Sequence, residues 1–307
     1  MNQPQDLFGR PLVADPAIAL QPLNIAFPKR TGPLHKVQFV IEFVGPRTMP
    51  AGAVAQLMSQ DWYSALGKPE MFVMRPSDLQ WQRLTPAPDG SYDSLALAWN
   101  LITPDGRISQ QSAAQLFAFA ERFGPTIQRR PMPLPHPSEV DAVVKQLVTA
   151  HENLDLGFAL SVMSRSGAFL ERDIWIICAR LGLDFAPGGS FDWRTPQHPF
   201  PLLSVTPIGH ADAFSLGNVQ RDVSHAGVTV GFSIPLCVAP AQALEASFYC
   251  SEKISQELGG EVLDEADRPL SDRTKARLRE NMRQGLGLFA AVGITTGSLE
   301  AIRLFAA

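Results

Sequence analysis

The sequence predicts an α+β protein of two units, each an antiparallel sheet with helices packed on one face. Three observations predict it. The chain has 307 residues, twice the ~150 of a usual domain. Short runs with the period of a strand come in groups between stretches of helical period, which argues against a doubly wound parallel sheet. The same order of elements also occurs twice along the chain.

Residues 1–35 hold six prolines and no sustained period, so they are expected to form an irregular arm over the surface. Val37 to Val44 alternates as a strand, and Val54, Leu57 and Met58 recur at helical spacing within a stretch at about 50–66. Strands are expected near 71–75, 79–84 and 94–102. A helix starts after Pro104-Asp105-Gly106, carries Ala113, Leu116, Phe117 and Ala120 on one stripe, and stops at Gly124. A strand at 126–132 and a helix at 138–150 complete a unit over 36–150, which is expected to fold by itself.

The second half repeats this order over 153–307. Leu156 to Met163 alternates as a strand, and Ile174, Ile177, Cys178 and Leu181 form a stripe stopped by Gly182. Strands are expected at about 190–194, 202–205, 213–221 and 227–234. A long helix over 240–258 buries Leu244, Phe248, Ile254 and Leu258 and closes at Gly259-Gly260. A strand near 261–264 and a helix capped by Ser271, with Leu278 and Met282 inward, follow. Gly124 to Pro135 and Gly259 to Leu270 span equal lengths, so the halves read as a diverged tandem repeat of a β-α-βββ-α-β-α unit.

Composition narrows the function. The chain is 45% hydrophobic and 18% charged, a globular composition, and its net charge of −4 argues against nucleic-acid binding. Cys178, Cys237 and Cys250 are too few and too irregularly spaced for a disulfide framework or a zinc site, and read as core thiols. Asp15, Pro16 and Pro22 interrupt the only candidate signal peptide. The apolar stretch Leu286 to Leu299 falls short of the ~20 residues a membrane span needs. No membrane span is expected.

Chemistry is sparse. The six histidines are isolated. Asp222, Ser224 and His225 are neighbours in one turn and cannot face one another as a catalytic triad must. Gly188-Gly189 and Gly259-Gly260 lack the frame of a phosphate-binding loop, and Glu261, Asp264, Glu265 and Asp267 lack the spacing of a cation site. The sequence therefore offers no catalytic residue, no metal site and no cofactor.

Phe214-Ser-Leu-Gly-Asn-Val219, then Gly227-Val-Thr-Val-Gly-Phe-Ser-Ile-Pro235, then Gly259-Gly-Glu-Val-Leu-Asp264 resemble three ordered phrases of the C-terminal FtsZ-binding domain of the cell-division protein ZipA: F-S-L-A-N, G-V-T-I-x-x-x-V-P and G-G-x-V-L-D. The resemblance covers about 153–307. It implies a split β-α-β domain whose open sheet face accepts the C-terminal tail of FtsZ as an apolar, partly helical peptide. It implies a noncatalytic bacterial adaptor for septum assembly, cytoplasmic and recruited to the inner-membrane division site. ZipA proper carries an N-terminal membrane helix and a long linker, to which nothing here corresponds.

Alternation assigns the faces. Val228, Val230, Phe232 and Ile234 share the core side, so Thr229, Gly231 and Ser233 face outward. Read as a strand, 213–221 turns Phe214 and Leu216 inward and leaves Gly217, Val219 and Arg221 on the open face. Phe191 and Trp193 on the strand after Gly189 are further groove candidates, at least one of them expected to pack in the core. Phe158, Leu160 and Val162 are expected in the core. By the resemblance, the positions of Val219 and Gly231 carry a methionine and a phenylalanine that touch the peptide, and that of Arg221 a lysine. A phenylalanine restored at 231 is expected to be tolerated, projecting outward. Two other readings fit the same residues: a ZipA-like scaffold for a different protein partner, motivated by Gly217 and Gly231, and a small-ligand protein using a cleft between the halves.

Overall fold

A computed structural model describes residues 13–27, 31–45, 48–50, 67–84, 90–209 and 212–306. The helix expected over 50–66 lies outside these residues. The chain divides into two compact units: Pro28–Asn153 with Ile302–Ala307, and the residues up to Phe27 with Leu154–Ala301. The N-terminal arm is thus grouped with the second half, and the last residues with the first.

In the 28–153 unit, β1 (Gln38–Val44), β2 (Glu70–Met74), β3 (Trp81–Arg83), β4 (Ser94–Asn100) and β5 (Arg130–Leu134) form an antiparallel sheet in the order β3-β2-β4-β1-β5. Phe39, Ile41 and Phe43 share one face with Leu95, Leu97 and Trp99, as their register requires. Helix α1 (Gln110–Phe123) covers that face with Ala113, Leu116, Ala120 and Phe123, the ring of Phe123 standing edge-on to Phe43 at 5.7 Å. Ser109 caps α1 by accepting from the Ser112 N–H. On the opposite face Val40, Phe72, Ala96 and Ala98 form a buried cluster with Trp81 against it.

The strand expected at 126–132 begins later, because Gly124–Ile127 continues α1 as a 3-10 turn that ends at Gln128 in the left-handed region, φ 56°. Pro131 and Pro133 have no N–H to give a ladder, and β5 holds them at the sheet edge, where that lack is tolerated. Helix α2 (Val140–Leu154) follows.

In the 154–301 unit, β6 (Gly157–Ser164), β7 (Phe169–Leu170) and α3 (Glu171–Arg180) lead to β8 (Asp184–Phe185), β9 (Phe191–Trp193) and β10 (Leu203–Ile208). Then come α4 (Leu216–Gln220), β11 (Ser224–His225), β12 (Gly227–Ser233), α5 (Pro240–Leu258), β13 (Gly260–Leu263), α6 (Asp272–Ala291) and α7 (Leu299–Phe305). Six strands form one antiparallel sheet, β8-β9-β10-β12-β6-β13, while β7 and β11 pair separately.

Phe158, Leu160 and Val162 of β6 are buried with Val228, Val230 and Phe232 of β12, as alternation predicts. Two helices cover this side. From α5, Phe248 meets Phe158 at 6.2 Å; from α3, Trp175 meets Phe191 at 5.1 Å. Gly259, at φ 75°, closes α5 in the left-handed conformation that glycine adopts without strain. Helix α6 is capped by Ser271 and packs on α5 through Lys275–Glu252 at 2.5 Å, Arg279–Glu245 at 2.6 Å and the Arg279 guanidinium over the Phe248 ring.

The arm lies on the same helices. Asp15 N–H donates to Arg180 O, Leu20 N–H to Leu181 O, and the Tyr249 hydroxyl to Ile18 O, while the Asp15 carboxylate pairs with Arg180 at 3.1 Å. All three cysteines are free and buried. Burial pushes their thiols up, those of Cys237 and Cys250 to about 12.

The two sheets share a run of three strands, β4-β1-β5 in one and β12-β6-β13 in the other, with the helix before the last strand on the corresponding face. Pro137, where a 3-10 turn leads into α2, stands the same number of positions after Gly124 as Asp272 does after Gly259. Beyond the shared run they differ. β2 lies beside β4 with β3 outside it, whereas β10 lies beside β12 with β9 outside it, so the hairpin is reversed.

Candidate functional site

The side of the 154–301 sheet away from α3 and α5 is built from small and polar residues. Directly opposed residues of an antiparallel sheet share a face, so the register lays out rows. One runs Thr206, Thr229, Ser161, Leu263; the next runs Ser204, Gly231, Ala159. Ser233 stands opposite Gly157, and Ile208, Gly227 and Met163 align at the other end. Thr229, Gly231 and Ser233 are half-buried on this face, as are Ala159, Ser161, Ser204 and Thr206.

The glycines of β12 are there because the backbones meet. A Cβ on Gly231 would lie 2.5 Å from the Phe158 carbonyl oxygen, and one on Gly227 would lie 2.4 Å from that of Val162. The expectation that phenylalanine at 231 would be tolerated is corrected: its Cβ would strike the neighbouring strand before any ring could reach the face.

The segment expected to be a strand at 213–221 is a capped helical turn, α4, and this changes its residues' places. Ser215 Oγ accepts the Asn218 N–H at 3.1 Å, a capping interaction that nucleates helix where a strand was expected. Phe214 is buried against Phe191 and His225, at 5.5 and 5.7 Å between ring centroids. Leu216, expected inward, is 54% exposed. Gly217 is exposed and Val219 half-buried on a helix packed against α3, and exposed Arg221 caps its C-terminal end, so alternation does not place them on the sheet face. Arg221 closes its own turn, donating to Gly217 O and Asn218 Oδ1 at 3.0 Å each. Phe191 is fully buried between Trp175 and Phe214, which corrects its candidacy as a groove residue.

A buried pair anchors this loop. Glu171, the first residue of α3, and His225 of β11 are both fully buried. The carboxylate accepts from His225 Nε2 at 2.8 Å, from the Ser215 N–H at 2.7 Å and from the Trp175 indole N–H at 3.2 Å. His225 Nδ1 has no partner. An anion at a helix N-terminus also meets the positive end of the helix dipole.

Asp264, of the acidic cluster, holds the turn after β13. Burial pushes the Asp264 carboxyl up, but hydrogen bonds from the Arg268 N–H, the Arg268 guanidinium and the Ala266 N–H outweigh it and bring it down to about 2. No group of three or more His, Cys, Asp or Glu among the described residues could hold a metal ion. No helix among them is long and apolar enough to cross a membrane.

The residues that strand alternation alone leaves unselected, Ser204 and Thr206, sit beside β12 because β10 pairs with it. The period of 202–208 signals their side of the strand, but only the pairing makes them neighbours of Thr229 and Gly231.

An antiparallel sheet backed by helices on one side, with a second side of small residues, defines an α+β domain. Residues 157–281 match the family model for the ZipA, C-terminal FtsZ-binding domain. Comparison with curated proteins found no match. The phrases acquire physical reasons here: Phe214 fills the core, Ser215 and Asn218 build α4, and Gly227 lets β12 close on β6.

Proposed function

We propose that the chain is a noncatalytic cell-division adaptor that binds the C-terminal tail of FtsZ across the sheet face of its 154–301 unit, at the division site. The observation that carries the reading is the face bearing Thr229, Gly231 and Ser161 within the stretch that matches an FtsZ-binding family. Small side chains let a helical peptide lie close to the sheet, with Ile208, Met163 and Leu263 as apolar borders; this is helix-in-groove recognition. Gly231 supplies no aromatic anchor. Burying such a ring contributes ~1.5–3 kcal/mol, so the affinity is expected to be roughly tenfold to a hundredfold below that of a groove that has one.

Titration of the full chain with a labelled peptide of the FtsZ C-terminal tail tests it. Thr229→Glu and Ser161→Glu are expected to weaken binding at least tenfold with unchanged melting, because each places a carboxylate under an apolar peptide. Leu216→Glu is expected to leave it unchanged. Loss of binding in Leu216→Glu alone would move the contact to α4. Absence of saturable binding by the wild-type chain would favour the second reading, a ZipA-like scaffold for another protein, which the missing aromatic at Gly231 supports.

A further inference from the structure

Ile302–Ala307 belong to the 28–153 unit, although they directly follow the other. The carboxylate of Glu70 holds them. Glu70 opens β2 in the row Glu70, Ala98, Val40 and so shares the face of the buried cluster Val40, Phe72, Ala96 and Ala98. Gln38, fully buried, fixes it from behind: its Nε2 donates to Glu70 Oε2 at 2.9 Å while its Oε1 accepts the Leu34 N–H at 2.8 Å. In front, Arg303 Nη2 donates to both oxygens, at 3.0 and 2.8 Å, and Arg83 to Oε1 at 2.9 Å. Farther along α7 the Phe305 ring stacks on His151, 5.4 Å between centroids and 7° from parallel. Leu304 and Phe305 are buried.

This face lies opposite α1, as the small-residue face of the other unit lies opposite α5. Within the shared strand run, Val40, Ala96 and Ala98 take the side that Ser161, Thr229 and Gly231 take in the other unit, and the 28–153 side is the more apolar. We propose that it is a second helix-binding surface whose resident ligand is the chain's own residues 302–306, and that the same helix of a second copy can take that place. The partner chemistry is a short helix with an arginine for the Glu70 carboxylate and, two positions on, an aromatic for His151. The tethered helix has a local concentration in the millimolar range, which keeps the site filled in cis.

The test is a labelled peptide of residues 298–306 added to full-length chains. Wild type is expected to bind it at least tenfold more weakly than the R303A/F305A chain, whose own helix no longer competes. In that background Glu70→Arg is expected to abolish binding, and a peptide carrying Arg303→Glu to restore it. Binding to the R303A/F305A chain is expected to weaken with added salt, since the ion pair is partly exposed. Equal binding by wild type and R303A/F305A, or none by a folded R303A/F305A chain, overturns the proposal. If R303A/F305A fails to fold, melting of the charge-swapped chain E70R/R303E decides. Recovery relative to both single variants supports the contact, and no recovery overturns it.

Discussion

Glu171→Leu removes the acceptor of three buried donors at once: the Ser215 N–H, the Trp175 indole N–H and His225 Nε2. A buried donor left without a partner costs roughly 1–3 kcal/mol, and breaking a buried hydrogen-bonded pair from one side costs roughly 3–5 kcal/mol. Three orphaned donors in a fully buried site place Glu171→Leu within that second range. Glu171→Gln keeps one carbonyl oxygen for Ser215 and Trp175 and disturbs only the contact to His225, so its cost is expected to be smaller. At ~2–4 °C per kcal/mol for a unit of this size, Glu171→Leu lowers the melting temperature by roughly 6–20 °C, read by scanning calorimetry. The double variant Glu171→Leu/His225→Leu replaces the pair by apolar groups and is expected to recover part of the loss. A cost under about 1 kcal/mol for Glu171→Leu, or a double variant as unstable as the sum of the singles, would refute the clasp.

Gly231→Ala is expected to destabilise by roughly 1–3 kcal/mol, as overpacking between two fixed strands does; a neutral chemical-denaturation midpoint would show that the β6–β12 spacing gives way. Asp264 titrates near 2 when folded, below its unfolded value of ~3.9. The stability it confers is therefore full above about pH 4 and is lost as pH falls toward 2. Asp264→Asn should flatten acid unfolding in that window, and an unchanged acid midpoint would contradict it. Thiols raised by burial, Cys237 and Cys250 to about 12, should react with a disulfide reagent at pH 8 only after unfolding; rapid labelling of the folded chain would show that the core opens.

Strand periodicity was legible wherever one face is buried. Phe158, Leu160, Val162 and the β12 residues fall where alternation places them, because a one-residue slip would expose the whole apolar set. The segment 213–221 was not legible. Phe214 and Leu216 alternate like a strand, but Ser215 is a helix cap and its N–H is held by Glu171, which stands far away in sequence. The late start of β5 has a similar cause, since a helix that continues as a 3-10 turn past Gly124 leaves no periodic mark. On the sheet face, alternation placed Thr229, Gly231 and Ser233 on the side away from the helices but did not give the reason for the glycine. That reason is the Phe158 carbonyl of a neighbouring strand, and single-strand patterns carry no information about strand pairing.

The arm contact Arg180–Asp15 spans 165 positions, and the tail contact Arg303–Glu70 spans 233. During synthesis, at ~5–20 residues per second, Glu70 leaves the ribosome roughly 10–50 s before the arginine that will meet it. The arm waits likewise for the helices of the 154–301 unit. Each unit draws on two separate stretches of the chain. The 28–153 unit therefore spends that interval with its Glu70 carboxylate uncovered by Arg303, held by Gln38 and Arg83.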